Sequence, residues 1–258
     1  MKRHIETDID GCLLRGYLEY PEDPPGPYPL LVMFHGFTGD CTETNFLFAR
    51  LARLLCQQGI GTLRLSFPGS GESEGEFSDV SCKVWGEVGV KLFNYARTIP
   101  GVDPAAMGLL GMSLGGAAAV LASQELSLQV KTLILLAPAF EYAVKYQDLF
   151  GDEDKAYRGN LMIRRHFVQD EASADFKAAL EAFPNPVRFI HGAEDTSVSP
   201  EVSIKYAEYP KNRQLILIPG ANHAFDDHLA LAMLETAVLQ AAAGLKSVNG
   251  IQAQETPW

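Results

Sequence analysis

A serine lies between glycines in the pentapeptide GMSLG at 111–115. An apolar run at 106–110 precedes it, and a helix rich in small residues follows at once. A strand, a sharp turn and a helix in this order form a nucleophile elbow, in which the strained turn exposes the serine hydroxyl. The flanking glycines let the two backbones pass where a Cβ would clash. The pattern predicts Ser113 as a nucleophile; the alternative is a glycine-serine turn that only caps a helix.

A serine hydroxyl is a poor nucleophile at neutral pH and needs a base within hydrogen-bond reach. Imidazole suits this role because its ordinary pKa is about 6.5. Of the six histidines, only His223 and His228 follow the last predicted strand, and His228 falls within the closing helix. Position therefore favours His223, the alternative being a loop histidine satisfied by local hydrogen bonds. A carboxylate must orient the imidazole, and Asp195 is the predicted acid, with Glu194 as its nearest rival.

Backbone amides are expected to hold the oxyanion that forms when Ser113 attacks a carbonyl group. One is the amide of Leu114, directly after the nucleophile, and the second is the amide of Phe37 in the loop HGFTG at 35–39. His35 is predicted to brace this loop rather than to act as a base. Four further residues are predicted to bind substrate: Gly36, Thr38, Tyr142 and Tyr146.

Apolar runs alternate with helical patterns along most of the chain. A hairpin at 3–20, turning at Asp10-Gly11, comes first. Six later runs predict strands of one sheet: 30–34, 60–67, 106–110, 131–136, 187–190 and 214–218. Strands alternating with helices predict an α/β fold with a mostly parallel central sheet and helices on both faces. Ligands bind at the carboxyl ends of such strands, which is where the predicted site residues fall.

One long segment breaks this rhythm. Residues 139–184 are charged, partly helical and too long for an ordinary connection, so we expect an inserted cap (lid) within a single domain at 1–258. Its aromatic residues either line a pocket or form only a small core of the cap, and the sequence leaves both open. These residues are Tyr142, Tyr146, Tyr157, Phe167 and Phe176.

Composition bounds the class of protein. The chain has 258 residues, of which 47% are hydrophobic, which suits one well-buried core. A formal charge of −11 argues against nucleic acid or an anionic membrane as partner. We see no secretory signal and no run of membrane-spanning length. The four cysteines lack metal-ligand spacing, which disfavours a metal site or a disulfide framework. We expect a cytoplasmic protein.

Five segments, taken in order, resemble the α/β-hydrolase superfamily: HGFTG at 35–39, LRLSFPGSGESEGEF at 63–77, GMSLGG at 111–116, HGAEDTSV at 191–198 and GANHAF at 220–225. Within it the chain is similar to bacterial cinnamoyl and feruloyl esterases, which share the HGF loop, the glycine-rich segment and a cap after the LLAPA strand. The resemblance implies an α/β-hydrolase fold with the cap after the sixth strand. Ser113, Asp195 and His223 follow the chain order of catalytic groups in that fold.

We therefore expect a serine carboxylic-ester hydrolase that acts through an acyl-enzyme on a small-molecule ester, of the hydroxycinnamoyl (feruloyl) type or another small aryl or acyl ester. No cofactor and no metal is expected, because nucleophile, base and oxyanion donors all come from the chain. An acyl thioesterase or a serine peptidase using the same three residues remains an alternative, as does a non-catalytic binding protein of the same fold. The sequence leaves open whether two copies form a homodimer.

Overall fold

The computed structural model describes residues 1–22 and 27–246 and contains one central sheet of eight strands in the order β1-β2-β4-β3-β5-β6-β9-β10. The strands of this sheet are β1 (Lys2–Ile9), β2 (Cys12–Glu19), β3 (Tyr28–Phe34), β4 (Gly61–Leu65), β5 (Val102–Met112), β6 (Val130–Leu136), β9 (Val187–Gly192) and β10 (Arg213–Ile218). β1 pairs antiparallel with β2, and β2 with β4, whereas all other pairs are parallel. The predicted mostly parallel sheet is confirmed.

Helices cover both faces of this sheet. The main ones are α1 (Leu47–Gln57), α2 (Cys82–Ala96), α3 (Leu114–Leu126), α7 (Pro200–Tyr206) and α8 (His228–Ala243). Alternate residues of β3 show why its run is wholly apolar: Val32 and Phe34 belong to the core under α2 and α3, while Leu31 and Met33 belong to the core under α1 and α8. Because both faces are buried, the strands read as continuous hydrophobic runs.

The chain between β6 and β9 holds three short α-helices and two short strands. They are α4 (Ala143–Tyr146), β7 (Lys155–Arg158), β8 (Leu161–Arg164), α5 (His166–Ala172) and α6 (Phe176–Ala182). β7 and β8 form an antiparallel hairpin of their own, although the sequence predicts only partly helical structure here. We refer to residues 139–184 as the cap. Ser81 at the start of α2 donates a hydrogen bond to Asp170 of the cap at 2.5 Å, which ties α5 to the main body.

Two predictions fall on chain that the structure does not describe. Residues 247–258, predicted as a loosely held tail, lie outside the described residues, and so do residues 23–26 of the loop predicted at 21–29. Within the described residues, every helix is too short or too polar to cross a membrane.

Candidate active site

Ser113 lies in the turn between β5 and α3 with φ 52° and ψ −119°, a conformation that residues with a side chain rarely adopt. Backbone hydrogen bonds hold this turn: the Ser113 amide donates to Leu136 O at 2.9 Å, and the Ser113 carbonyl accepts from the amides of Gly116, Ala117 and Ala139. The strained backbone is therefore fixed from both sides, and the side chain remains partly exposed.

Two glycines allow β5 and α3 to meet at this turn. A Cβ on Gly115 would lie 2.1 Å from Phe34 O and 2.3 Å from His35 O, and a Cβ on Gly111 would lie 2.3 Å from Gly115 O. Atoms cannot approach that closely, so both positions require glycine. This is the close backbone passage that the pentapeptide at 111–115 predicts.

His223 and Asp195 meet at the same edge of the sheet. His223 Nδ1 lies 2.6 Å from Asp195 Oδ2, and 23% of the imidazole is exposed whereas the carboxylate is fully buried. Their loops pack directly, since the Glu194 amide donates to Ala221 O at 2.9 Å and a Cβ on Gly192 would lie 2.4 Å from that oxygen. With Nδ1 bound to the carboxylate, Nε2 remains for a substrate or nucleophile.

Ser113 and His223 line the same cavity. In the described part of the chain no hydrogen bond joins Ser113 Oγ to the imidazole. Catalytic hydrogen bonds are often long without substrate and tighten in the complex, so this arrangement is compatible with a nucleophile and its base. The structure thus brings the three predicted catalytic residues to one edge of the sheet and joins two of them by a hydrogen bond.

Asp195 receives hydrogen bonds at both carboxylate oxygens. Oδ1 accepts from the amides of Ser197 at 2.7 Å and Val198 at 2.9 Å, while Oδ2 faces both His191 and His223. Burial by itself would raise the pKa of this carboxyl, but the hydrogen bonds from His191 and His223 hold the pKa well below its usual range. Asp195 is therefore ionised at neutral pH and can stabilise a protonated imidazole.

His191 supports Asp195 from behind. It is fully buried, its Nε2 lies 3.2 Å from Asp195 Oδ2 and 3.0 Å from Val198 O, and its Nδ1 lies 2.7 Å from Ser203 Oγ. Both groups at Nε2 can only accept, so Nε2 carries the proton and the Ser203 hydroxyl donates to Nδ1. The carboxylate is thus fixed between two imidazoles, of which only that of His223 reaches the cavity.

Two backbone amides are available beside Ser113. The Phe37 amide donates to no other described residue, and the Leu114 amide is the first of α3, so it has no acceptor within the helix. Both residues line the cavity together with Ser113. Unpaired N–H donors next to a nucleophile are what an oxyanion hole requires.

Buried side chains brace the loop that carries Phe37. The Glu43 carboxylate accepts from the Gly36 amide and, at 2.7 Å, from the Thr44 amide. His35 uses both ring nitrogens, donating from Nδ1 to Gly36 O at 2.9 Å and accepting from the Phe67 amide at 2.9 Å, and burial lowers its pKa. His35 is therefore a neutral structural residue, in line with its predicted role.

We call the loops that follow β3, β5, β9 and β10 the sheet rim. A cavity of about 450 Å³ lies between the cap and the sheet rim. Of the four predicted substrate-binding residues, Thr38, Tyr142 and Tyr146 line it, whereas Gly36 is not part of its wall. A Cβ on Gly36 would lie 3.3 Å from the Cβ of Ser113, so this glycine keeps space beside the nucleophile instead.

The cap aromatics do not all serve one purpose. Tyr142 and Tyr146 pack against Phe167 with ring centres 4.6 and 5.4 Å apart, and all three line the cavity. Phe176 is buried in the main core, and Tyr157 is 58% exposed. The first alternative left by the sequence therefore holds for Tyr142, Tyr146 and Phe167, which line the pocket and also pack on one another, but not for Tyr157 and Phe176.

Comparison with known families identifies the family to which this chain belongs. Residues 26–155, half of the chain, match the family described as serine aminopeptidase, S33. The chain belongs to this family. Residues 92–233 also match a second family, described as an uncharacterised protein family.

Among solved structures, Est1E from Butyrivibrio proteoclasticus with ferulic acid bound is similar to this chain, with a TM-score of 0.84 and 27% sequence identity. The match covers 95% of this chain and 99% of that chain. It confirms the α/β-hydrolase fold and the resemblance to feruloyl esterases that the sequence motifs indicate.

Two curated relatives align over shorter lengths. An uncharacterized 31.7 kDa protein of Escherichia coli is 32% identical over 89 residues, which are 34% of this chain and 30% of that protein. Thiohydrolase aneE of Aspergillus aculeatus is 33% identical over 134 residues, which are 52% of this chain and 40% of that protein. The S33-family chain thus spans less than half the length of these relatives.

Sequence reasoning missed three residues of this S33-family site. His191 had a usable signal, because His191-Gly192 repeats the strand-ending pair His35-Gly36, and both histidines are buried and bonded at both ring nitrogens. Glu43 is one of two acids in a polar stretch, and Arg158 lies in a hairpin without a pattern of its own. Only the folded chain brings the last two to the site.

Proposed function

We propose that the protein hydrolyses carboxylic esters through an acyl-enzyme. Ser113 Oγ attacks the ester carbonyl while His223 Nε2 takes the hydroxyl proton, and the amides of Phe37 and Leu114 hold the oxyanion. The bond between the carbonyl carbon and the alkoxy oxygen then breaks, and His223 returns the proton to the leaving alcohol. Water, deprotonated by His223, attacks the acyl-enzyme and releases the acid and Ser113.

One observation supports this proposal above all. A serine with φ 52° at a strand-helix junction shares a cavity with an imidazole whose Nδ1 lies 2.6 Å from a buried carboxylate. A strained, glycine-flanked serine has no evident use in a merely structural turn, and a base oriented by an acid is what activates a hydroxyl.

Aryl or hydroxycinnamoyl esters are the substrates we propose first. Tyr142, Tyr146 and Phe167 supply an aromatic wall to the cavity, which suits a flat acyl group. The similar structure of Est1E carries ferulic acid. A fixed aromatic wall favours rings over saturated chains of similar size, so methyl ferulate should be turned over with a lower KM than methyl hexanoate.

Replacement of the nucleophile tests the reaction. Ser113→Ala should lower kcat/KM for p-nitrophenyl acetate by about 10⁴-fold or more, because no nucleophile remains. Ser123→Ala in α3 is the control, since the Ser123 hydroxyl donates to Val120 O and the residue is buried outside the cavity wall. Equal turnover by the Ser113→Ala protein would contradict the proposal.

A thioester is the second substrate class that an observation favours. Thiohydrolase aneE is 33% identical over 52% of this chain, and the acyl-enzyme chemistry is shared. The family description names a serine aminopeptidase, which adds an aminoacyl amide to the panel. Turnover of methyl ferulate, an acyl-CoA and an aminoacyl p-nitroanilide by the same preparation separates the three, and we expect the oxygen ester to have the highest kcat/KM.

A further inference from the structure

The hairpin of the cap brings Arg158 to the cavity wall. Arg158 is the last residue of β7, and its guanidinium carbon lies 5.4 Å from the ring centre of Phe37 and 5.6 Å from that of Tyr146. All three residues line the cavity that contains Ser113. Contacts with two aromatic rings hold the cation at this wall.

The guanidinium of Arg158 keeps its donors unpaired. In the part of the chain that the structure describes, it forms no ion pair and donates no hydrogen bond. Its neighbours on the hairpin differ, since Arg164 pairs with Asp79 at 3.4 Å and Arg165 donates to Gly151 O at 2.9 Å. A guanidinium presents five N–H donors in its plane, and ring contacts do not use them.

The other charged side chains at the cavity leave it with an excess of positive charge. Lys145 lines it, and Nζ donates to Ser197 O at 3.3 Å, with no carboxylate partner among the described residues. Glu141 also lines the cavity but is neutralised by Lys205. The chain has 32 acidic and 21 basic residues, so two cations without acidic partners at one cavity are opposite to its average charge.

We propose that the site selects esters that carry a carboxylate remote from the scissile carbonyl, which Arg158 binds with Lys145 adding charge. A planar carboxylate accepts two parallel hydrogen bonds from the free edge of a guanidinium, and this bidentate geometry is the one Arg offers and Lys does not. The proposal rests on the ester hydrolysis proposed above and adds one feature to the substrate: a free carboxylate, such as that of a half-ester of a dicarboxylic acid, at the end of the acyl group that faces the aromatic wall.

Matched pairs of esters test this selection. Monomethyl adipate and methyl hexanoate differ by a terminal carboxylate, and shorter and longer pairs (succinate with butanoate, suberate with octanoate) find the chain length that reaches Arg158. For the best pair, kcat/KM of the half-ester should exceed that of the neutral ester about tenfold to a hundredfold, mainly through KM. Added salt should reduce this ratio because it screens the charges.

Arg158→Gln should lower the ratio at least about tenfold, and Arg158→Lys should restore part of it. Arg164→Gln is the matched control, because Arg164 lies on the paired strand and binds Asp79 instead of lining the cavity; its ratio should equal that of the wild type. A wild-type ratio near one, or a ratio that Arg158→Gln leaves unchanged, would overturn the proposal.

A binding measurement separates this proposal from that of ester hydrolysis. Ser113→Ala protein, titrated in a calorimeter, should bind the half-ester of the best pair more tightly than the matching neutral ester. If this preference is found while neither ester is hydrolysed by the wild type, the reaction proposed above fails and the carboxylate site stands. If both esters are hydrolysed equally and bind equally, the reaction stands and the carboxylate site fails.

Discussion

The sheet rim and the cap line the same cavity but are held by different interactions. In the rim, main-chain contacts fix the candidate catalytic groups: backbone hydrogen bonds hold Ser113, and the loops of Asp195 and His223 meet where a Cβ on Gly192 would clash. In the cap, side chains form the wall, as in the contact of Tyr142 with Phe167. The chemistry thus depends on backbone geometry that no side chain can replace, while the wall that faces the substrate can change residue by residue.

The largest expected effect comes from adding one methyl group to a glycine in each region and comparing the loss of stability. Gly115→Ala places a Cβ 2.1 Å from Phe34 O, so it should destabilise the fold by about 3 kcal/mol or more and remove most activity. Gly159→Ala, in the cap hairpin at φ 62°, meets no atom within 4 Å and should cost only about 1 kcal/mol from the left-handed backbone. Urea unfolding measures both, and equal losses would contradict the comparison.

A smaller effect tests whether His191 supports the carboxylate of Asp195. His191→Phe removes a donor from the carboxylate and should lower kcat about a hundredfold with little change in KM, because Asp195 then orients His223 less well. The variant also removes one of the hydrogen bonds that hold the pKa of the Asp195 carboxyl below its usual range, so this pKa should rise and the acid limb of the kcat/KM profile should move to higher pH.

His191→Gln keeps an N–H donor in place of Nε2. It should therefore recover part of the kcat and reverse part of the shift in the pH profile. A variant that unfolds at lower temperature but keeps the wild-type kcat and pH profile would show that His191 serves only packing. Initial rates across pH, with folding checked at each pH by circular dichroism, distinguish these outcomes.

The smallest effect concerns the cap. Burial raises the pKa of the Glu171 carboxyl in α5 from 4.5 to about 7, while its hydrogen bond from the Ala143 amide at 2.6 Å acts in the opposite direction. Because the folded pKa is above the unfolded one, the protonated carboxyl stabilises the fold fully below about pH 4.5, and this contribution is lost as pH rises through 7. After allowance for solvent screening the loss is about 1 kcal/mol.

Glu171→Gln keeps the acceptor for the Ala143 amide and cannot ionise, so the fall in Tm between pH 5 and pH 8 should be smaller by a few degrees than in the wild type. Glu181→Gln, an exposed acid of α6 paired with Lys177, should leave the wild-type dependence unchanged. Identical pH dependence in all three proteins would remove Glu171 as its source.

The candidate catalytic residues of the sheet rim could be predicted from the sequence because each of them follows a predicted strand. Ser113 sits between two glycines after an apolar run, and His223 follows the last such run, so local spacing located both before their separation in space was known. The segment between β6 and β9 was predicted as a cap from its length, but its hairpin was missed. β7 and β8 are only four residues each and bury one residue each, so neither strand shows the alternation of a half-buried strand.

By itself the sequence determined the alternation of strands and helices, the elbow and the order of the three candidate catalytic residues, because hydrophobic period and glycine placement are local properties of the chain. The tertiary structure alone decided that His191 supports Asp195, that Glu43 braces the loop of Phe37, and that Arg158 lies against the rings of Phe37 and Tyr146. These contacts join residues whose meeting depends on how loops and cap pack, and no local pattern encodes that packing.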